Sequence, residues 1–544
     1  MKSSVLGLVC VFALGLLCAP IAEVDGACGQ RVRKSYDRLT VDEKRLYRRA
    51  LQKSMDAGYY IKFVEMHTEK MSEMEAHRVC MFTYWHRYFL LGFENMLRSL
   101  GPEFKCITVP YWDQIQQNAR AMTGACSSME SCTPMIRDWG GSTKGVYKNV
   151  VINGVEIGGS ICVTGSPLDR FCEASSRKDN GCAKCLPRDN LQQQPFPAMA
   201  NYASVYRQLF APQNLPDASE SVEEGMHNAI HATLGSTMGT FQSPADPIFW
   251  SHHAYVDLLL TIFLKCRAGL GKLSDAQKAN NPYTFVSCPK RENTGMFIAS
   301  SKITMRNGES GANPIQANAP NSPLYAFFKD IPDQYALLSD IITIGGSSRY
   351  TYQVGGLVGQ LALNCDKPPS GRRLGEYSSG TQGEAANATR VRCESGLNSD
   401  DDAKSPPSSP ENAPFQVDSS YDNDVHAKKV TAWVHEVTEL LRKLPEDKSR
   451  EPVPHAEVVE MERMVCMFQD QCRGGVADYS DEFKKAFGVT KPPPCKTIVD
   501  EINECRPLRL SKWKETMEKY FPCNVALAAA PTDPDTNETP IGDL

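Results

Sequence analysis

Apolar residues recur at helical spacing in three stretches of the chain. From Thr83 onward the pattern predicts a strong amphipathic helix with apolar positions at Tyr84, Trp85, Phe89, Leu90, Phe93, Met96 and Leu97 and polar positions at Arg87, Glu94 and Arg98. Beyond residue 425 the spacing returns twice, at Val430, Trp433, Val434, Val437, Leu440, Leu441 and Leu444, and then at Val458, Val459, Met461, Val465 and Phe468. These patterns predict a helical core followed by a second, smaller helical region.

Two long stretches lack this period. Residues 114–200 are rich in Gly, Ser and Cys, which predicts a disulfide-braced loop insertion over the core. Residues 366–425 are rich in Pro, Ser, Asp and Gly and cannot bury much apolar surface, which predicts a flexible linker. We therefore expect a main domain over residues 27–365 and a separate small helical, cysteine-containing module over residues 426–544.

The first 26 residues are typical of a secretory signal peptide. Lys2 precedes an apolar run from Val5 to Leu17, and small residues follow it, with cleavage expected between Ala22 and Ala27. This run is too short for a convincing membrane span, and no later stretch approaches about 20 apolar residues. The sequence therefore predicts a secreted protein without a membrane span.

Composition agrees with export. The chain has 544 residues, 41% of them hydrophobic, and a net charge of −5, which gives no basic excess for binding nucleic acid. Twenty cysteines, less the two in the predicted signal, leave an even number for disulfides in an oxidising compartment. Cys182 and Cys185 form a C-x-x-C pair, for which we expect disulfide partners rather than zinc or redox chemistry. Asn387 and Asn537 lie in glycosylation motifs, so we expect a glycoprotein.

Histidines supply the candidate chemistry. Seven of the ten fall in two groups about 140 positions apart: His67, His77 and His86, then His227, His231, His252 and His253. A lone histidine in an apolar helix is usually a satisfied core residue, but two groups of this size indicate two imidazole-rich metal sites. The remaining histidines, His426, His435 and His455, are better explained as surface residues than as a third metal site.

Helix geometry constrains each group. His227 and His231 are four apart and share a helix face. His77 and His86 are nine apart, which places them on opposite faces at about 100° per residue, so the helix carrying His86 should begin after His77. His252 and His253 are adjacent, so only one should face the ion, and Asp257, one turn after His253, could orient the ligand helix.

The sequence around these histidines resembles the tyrosinases, catechol oxidases and molluscan haemocyanins. His77-Arg-Val-Cys-Met-Phe-Thr-Tyr-Trp-His86, followed by Phe93-Glu94 and Pro110-Tyr-Trp-Asp113, is similar to their first copper site. His227-Asn-Ala-Ile-His231, followed by Asp246-Pro-Ile-Phe-Trp-Ser-His-His253 and Asp257, is similar to their second. Arg33-Lys-Ser35 and Tyr350-Thr-Tyr352 resemble the markers at the two ends of the same catalytic core.

The resemblance implies two copper ions held in an all-α core by a four-helix bundle. It assigns one copper to His67, His77 and His86 and the other to His227, His231 and His253, which leaves His252 as a structural residue. It implies a dicopper-peroxide species that hydroxylates monophenols and oxidises o-diphenols to o-quinones, with phenolic or catecholic small molecules or protein tyrosines as substrates. The alternatives are a catechol oxidase acting on diphenols only and a haemocyanin-like reversible dioxygen binder.

Further residues are assigned roles by the same resemblance. Asn228, with Glu223 or Glu224, could hold a water that removes the phenol proton, although both glutamates could instead be first-turn helix acids. Phe241 could be a gate over the coppers or ordinary packing. Some members of the family link a cysteine to the second histidine, but Glu75 occupies that position here, so we expect no crosslink.

The sequence leaves two possible roles for the C-terminal module. By analogy with members of the family whose C-terminal domain covers the copper site, it could be an inhibitory cap released by cleavage between residues 366 and 425. It could instead be an independent appendage or a module that stabilises the protein.

Overall fold

The computed structural model describes residues 28–178, 181–271, 273–367, 413–445, 455–504 and 506–523, and within these ranges the chain is mainly helical. The helices up to residue 267 are α1 (Val41–Asp56), α2 (Tyr59–Thr68), α3 (Lys70–Ala76), α4 (Phe82–Ser99), α5 (Gln114–Met122), α6 (Met129–Cys132), α7 (Pro134–Asp138), α8 (Tyr202–Phe210), α9 (Leu215–Val222), α10 (Asn228–Leu234) and α11 (Ile248–Arg267). A π-helical turn, Glu223–His227, joins α9 to α10.

The later helices include those of the C-terminal region. They are α12 (Asp275–Asn280), α13 (Tyr325–Phe328), α14 (Gly356–Asn364), α15 (Val425–Arg442), α16 (Ala456–Cys472), α17 (Asp481–Phe487), α18 (Pro494–Glu504) and α19 (Trp513–Glu518).

Helix α4 confirms the helix predicted from Thr83, but two of its three predicted polar positions do not face solvent. Arg87 and Glu94 are as fully buried as the apolar residues beside them. Apolar periodicity identified the helix correctly and misjudged its surroundings, because these two charges pair with charges on other buried elements. The result is a helix that is buried from Phe82 to Glu94 and partly exposed only in its last turns.

Short strands lie between the helices, each two to five residues long. Three pair in parallel in the order β1 (Arg31–Arg33), β11 (Tyr350–Val354), β12 (Phe415–Val417), with Val32 opposite Thr351 and Tyr352 opposite Phe415. Because β12 lies within residues 366–425, the end of the predicted linker is folded against the core; residues 368–412 are outside the described ranges. The sheet joins the two ends of the main domain to the start of the C-terminal region.

The segment 114–200 is a disulfide-braced insertion, as its composition predicts, although it contains regular structure. Besides α5–α7 it holds β2 (Gly145–Tyr147), β3 (Val150–Ile152), β4 (Val155–Ile157), β5 (Ile161–Val163) and β6 (Leu186–Arg188), arranged as a β2-β5-β6 sheet and a β3-β4 hairpin. Its disulfides are Cys126–Cys132, Cys162–Cys185 and Cys172–Cys182. Both cysteines of the C-x-x-C pair are therefore bonded to other partners, as expected.

A third group of strands follows α11. These are β7 (Cys288–Pro289), β8 (Met296–Phe297), β9 (Arg306–Asn307) and β10 (Ile315–Gln316), which form the antiparallel pairs β7-β8 and β9-β10. They lie in a largely irregular segment that the Cys80–Cys288 disulfide joins to the region between α3 and α4.

The C-terminal region is helical and disulfide-bonded, with Cys466–Cys495 and Cys472–Cys523. The sequence predicts a separate module, but this region packs on the main domain: α16 packs on α8, and α15 packs on α5 and α14. Buried residues such as Trp433 and Val465 are continuous with the core of the main domain. None of the eight disulfides in the described ranges joins residues 28–367 to residues 413–523.

Within the described ranges, no helix combines the length and apolar character needed to cross a membrane. The predicted signal peptide and both glycosylation motifs, at Asn387 and Asn537, lie outside the described residues.

Candidate metal centre

Two helices and the end of a third hold the first histidine group. His67 lies on α2 and His86 near the start of α4, while His77 follows the last residue of α3 in extended backbone with φ −132° and ψ 150°. The helix carrying His86 thus begins after His77, as the nine-residue spacing predicts. All three imidazoles are buried, and the Nε2 atoms of His67 and His86 are 3.5 Å apart.

The second group lies on α10, α11 and the π-helical turn. His227 ends the turn and His231 lies on α10, with ring centroids 4.5 Å apart, while His252 and His253 lie on α11. In each group, one donor atom from every histidine lies within 4.8 Å of the others. The His86 and His253 rings stack at 4.1 Å, so the two groups face one another.

Backbone and amide oxygens orient most of these rings. His67 Nδ1 donates to Phe241 O at 2.7 Å, and His86 Nδ1 donates to Phe82 O at 2.9 Å. His231 Nδ1 donates to Met238 O at 2.6 Å, and His227 Nδ1 donates to Asn228 Oδ1 at 3.0 Å. A proton on Nδ1 leaves the Nε2 lone pair free for a metal. Within the described residues, the Nε2 atoms of His227 and His231 have no hydrogen-bond partner, although both are buried.

Burial also keeps the imidazoles neutral. Removal from water lowers the pKa of His67 to about 3 and of His231 to about 4, and it lowers the pKa values of His77, His86, His227 and His253 below the usual range. Neutral imidazole is the form that binds a metal. Orphaned Nε2 atoms, neutral rings and groups made only of histidine together fit copper, which imidazole suits.

His252 and His253 differ in their partners. Gln114 Nε2 donates to His252 Nδ1 at 2.7 Å, an arrangement that puts the proton of His252 on Nε2. In the described part of the chain, neither ring nitrogen of His253 has a hydrogen-bond partner. The hydrogen bond to His252, and the lack of one in the described residues to His253, favour His253 as the ligand and His252 as a structural residue.

A buried ion network connects α4 to α11 behind the histidines. Asp257 accepts from Arg87 Nε at 2.5 Å and Arg33 at 3.0 Å, and from the Tyr350 and Tyr352 hydroxyls at 2.7 and 2.5 Å. Arg87 adjoins His86, and Asp257 lies one turn after His253. The two arginines hold the pKa of Asp257 below its usual range despite burial. The network fixes the helices that carry one histidine of each group.

The two candidate glutamates have different environments. Glu223 is buried and accepts from the Arg78 backbone N–H at 2.7 Å, and burial raises the pKa of its carboxyl to about 8. Glu224 points outward and pairs with Lys491 of the C-terminal region at 3.0 Å. Glu223 and Asn228 both line a cavity of about 490 Å³ beside the histidines. The structure therefore brings Glu223, Glu224 and Asn228 to one cavity but leaves Glu224 engaged elsewhere.

Two aromatic side chains pack against the histidine groups. The Phe241 ring is 4.8 Å from that of His77, and Phe487 of α17 lies 5.1 Å from Phe241, 5.2 Å from His231 and 6.1 Å from His77. Phe487 is 3% exposed. Sequence reasoning missed this residue, since an aromatic at an apolar helix position carries no signal of contact with a distant site.

Glu75 lies two residues before His77, at the position where the sequence resemblance would allow a crosslinking cysteine. Its carboxylate accepts from the Tyr335 hydroxyl and from the Thr304 backbone N–H, both at 2.8 Å. The nearest cysteine in sequence to His77, Cys80, is bonded to Cys288. The described residues thus offer no free thiol next to His77 in the sequence.

Two facing histidine groups enclosed by helices define a binuclear metal protein, and comparisons with known proteins identify its family. Residues 57–265 match the family model described as the common central domain of tyrosinase. The chain is 30% identical over 258 residues to a tyrosinase from Streptomyces glaucescens, covering 45% of this chain and 86% of that protein. It is 24% identical to a tyrosinase from Oryzias latipes, covering 43% and 44% of the two chains. The chain belongs to the tyrosinase family.

A solved structure is also similar. A polyphenol oxidase variant from Thermothelomyces thermophila is 20% identical and covers 59% of this chain and 88% of that chain, with a TM-score of 0.35.

Family membership makes the protein a copper phenol oxidase with a pair of copper ions as cofactor, and the two histidine groups are able to hold them.

Proposed function

We propose that this protein is a tyrosinase-type oxidase that hydroxylates monophenols and oxidises o-diphenols to o-quinones with dioxygen. The observation that carries the proposal is the pair of facing, buried groups made only of neutral imidazoles. Imidazole ligands without a carboxylate suit copper that cycles between Cu(I) and Cu(II). When bound, the copper pair supplies the redox chemistry with dioxygen.

The chain's own residues hold and orient the metal pair. His67, His77 and His86 bind one copper, and His227, His231 and His253 bind the other. Four of these ligands come from α2, α4, α10 and α11, which act as the four-helix bundle of the site. The hydrogen bonds from Nδ1 atoms to carbonyl oxygens fix the ring orientations before any metal binds.

Asn228 and Glu223 handle the phenol proton. Asn228 Oδ1 is engaged by His227 Nδ1, which leaves the side-chain amide nitrogen to orient a water in the shared cavity. The Glu223 carboxyl, whose pKa burial raises to about 8, accepts the proton through that water in the molecules in which it is ionised. Glu224 is the weaker candidate because its carboxylate pairs with Lys491 at the surface.

The C-terminal region acts as a cap on this oxidase. Phe487 fills the space next to Phe241, His231 and His77 where a phenol ring would have to enter. The cap is held by the Arg207–Glu462 ion pair, in which the glutamate is buried, and by Lys491 on Glu224. Arg473 adds hydrogen bonds to the Ala121 and Met122 carbonyls at the end of α5.

Phenolic or catecholic small molecules, or tyrosine side chains of proteins, are the proposed substrates once the cap is displaced. Export is the proposed route, supported by the apolar N-terminal run and by eight disulfides among the described residues. Cleavage between residues 366 and 425 is the proposed trigger; most of that segment lies outside the described ranges.

Dioxygen uptake by the copper-loaded full chain, before and after limited proteolysis, tests the proposal. A monophenol and its catechol are supplied separately, and copper content is measured in each sample. Uptake with both after proteolysis supports a tyrosinase, while uptake with the catechol alone indicates a catechol oxidase. Two bound coppers with no uptake, even when the C-terminal region is gone, would contradict oxidase function and favour a dioxygen binder. Equal activity before and after its removal would contradict the cap.

A further inference from the structure

His77 is held differently from the other proposed ligands. It lies outside a helix, and the next residue, Arg78, has φ 56°, in the left-handed region. Among the described residues, its Nδ1 has no hydrogen-bond partner, and the nearest carboxylate oxygen, on Glu73, is 3.9 Å away. Neither a helix nor a hydrogen bond at Nδ1 therefore fixes this imidazole, so its position depends on the backbone that carries it and on the packing of neighbouring rings such as Phe241.

Residues 288–306, here called the clamp, attach to the chain on both sides of His77. The attachments are the Cys80–Cys288 disulfide, the Arg291–Glu73 ion pair at 2.6 Å, the Arg306 N–H to Ser72 Oγ bond at 2.8 Å, the Arg306–Glu69 ion pair and the bonds from Thr304 to Glu75. The clamp also reaches the helix that carries His86, because Trp85 Nε1 donates to Thr304 O at 2.9 Å.

Glu75 is the centre of these attachments. This carboxylate is 7% exposed and lies two residues before His77. It accepts from the Thr304 N–H at 2.8 Å, the Thr304 hydroxyl at 2.9 Å, the Tyr335 hydroxyl at 2.8 Å and Lys290 Nζ at 3.4 Å. Four donors on one buried carboxylate leave it little freedom, and the end of α3 is fixed with it.

We infer that Glu75 is a positioning residue which, through the clamp, sets the location of His77 in the first metal site. The inference rests on the proposed function, since it requires His77 to bind copper. Hydrogen bonds normally orient a metal-binding imidazole through its second nitrogen, and their loss typically lowers metal affinity about 10- to 100-fold. At His77 the hydrogen bonds to Glu75 orient the imidazole indirectly, by fixing the backbone that carries it.

The chain offers a matched control in Glu65. This carboxylate is also buried, also lies two residues before a proposed ligand, His67, and also accepts from neighbouring side chains, Lys62 and Ser175. His67, however, lies within α2 and has its own ring hydrogen bond. Removing Glu65 should therefore cost folding stability without displacing the ligand.

The experiment measures copper stoichiometry and the affinity of each copper by chelator competition in the full chain. Thermal unfolding of the copper-free protein is measured in parallel for the wild type, Glu75→Leu, Glu75→Gln and Glu65→Leu. We expect Glu75→Leu to weaken one copper about 10- to 100-fold and leave the other unchanged. Glu75→Gln keeps one acceptor oxygen and should recover part of that loss, while Glu65→Leu should retain both affinities.

Equal copper loss in Glu75→Leu and Glu65→Leu would overturn the inference, because it would indicate general destabilisation. Unchanged affinities in a folded Glu75→Leu protein would overturn it as well. A wild-type chain that fails to bind two coppers would overturn the proposed function and the inference together, so the two failures are distinguishable.

Discussion

Replacing Phe487 with alanine should activate the full-length protein without proteolysis. The ring of Phe487 packs on Phe241 and His231 and stacks on Phe483 at 4.5 Å, in an apolar cluster distinct from the main core. It is the side chain of α17 that the proposed cap places against both histidine groups. Its removal leaves the ion pairs of the C-terminal region intact.

Burial of the ring gives the expected magnitude. Fully burying a phenylalanine side chain contributes about 2–3 kcal/mol, and Phe487 is almost completely buried. We take the activity of the uncleaved protein to report the fraction of molecules in which the Phe487 ring has moved aside. At about 1.4 kcal/mol for each factor of ten, loss of the ring should raise that fraction about 30- to 150-fold. The whole chain should also lose about 3–5 kcal/mol of unfolding free energy.

The assay compares initial rates of catechol oxidation for wild type, Phe487→Ala and Phe521→Ala, each with its copper content and thermal unfolding measured. Phe521 is equally buried in the C-terminal region but packs on Trp433, away from the histidines. It therefore controls for general loosening of the region. A folded, two-copper Phe487→Ala protein with wild-type activity would refute the cap, and equal activation by Phe521→Ala would refute the specific role of the Phe487 ring.

Four further outcomes follow from the site and its surroundings. Asn228→Gly should lower monophenol turnover about 100-fold more than catechol turnover in dioxygen-uptake assays, and equal losses would count against its role with the basic water. Phe241→Ala should lower the KM for bulky phenols more than for small ones after the cap is removed; unchanged KM values would leave Phe241 as packing. Asp257→Asn leaves buried arginines without their carboxylate, so urea unfolding should show a loss of about 3–5 kcal/mol, and a loss below about 1 kcal/mol would contradict the network. Burial raises the pKa of Asp113 to about 7, so on raising the pH this carboxyl ionises in the unfolded chain before it ionises in the folded protein. The free energy of unfolding therefore falls as the pH rises from about 4 to 7. Asp113→Asn should therefore match wild type near pH 4 and exceed it near pH 8 in unfolding free energy, and lower stability near pH 8 would contradict this.

Histidine spacing predicted much of the site because its geometry is local. The break between His77 and His86 and the shared face of His227 and His231 both follow from residues per turn. The choice between Glu223 and Glu224 could not be made in this way, because the backbone leaves helical geometry at Gly225, where φ is −85° and ψ is −112°, and regular helical spacing no longer applies there. Only the structure shows which glutamate turns inward.

Long-range contacts account for the other differences. Arg87 and Glu94 were expected at polar positions, and their burial depends on partners such as Arg33 and Asp257 that are distant in sequence. Strand β12 was missed because three residues are too few to display alternation, and its pairing with β11 is parallel and non-local. The position of Phe487 over the histidines depends on docking of the whole C-terminal region.

The absence of a described disulfide between residues 28–367 and 413–523 changes what cleavage would accomplish. A cut in the intervening segment at a point before Cys393 would turn the cap from a tethered part of the chain into a separate ligand, held by β12, the contact of α16 with α8 and a few ion pairs. Tethering gives the cap an effective concentration of the order of millimolar, which dilution cannot reduce. After the cut, occupancy follows mass action. The nicked enzyme should therefore stay latent in concentrated stores and become active on release into a dilute medium.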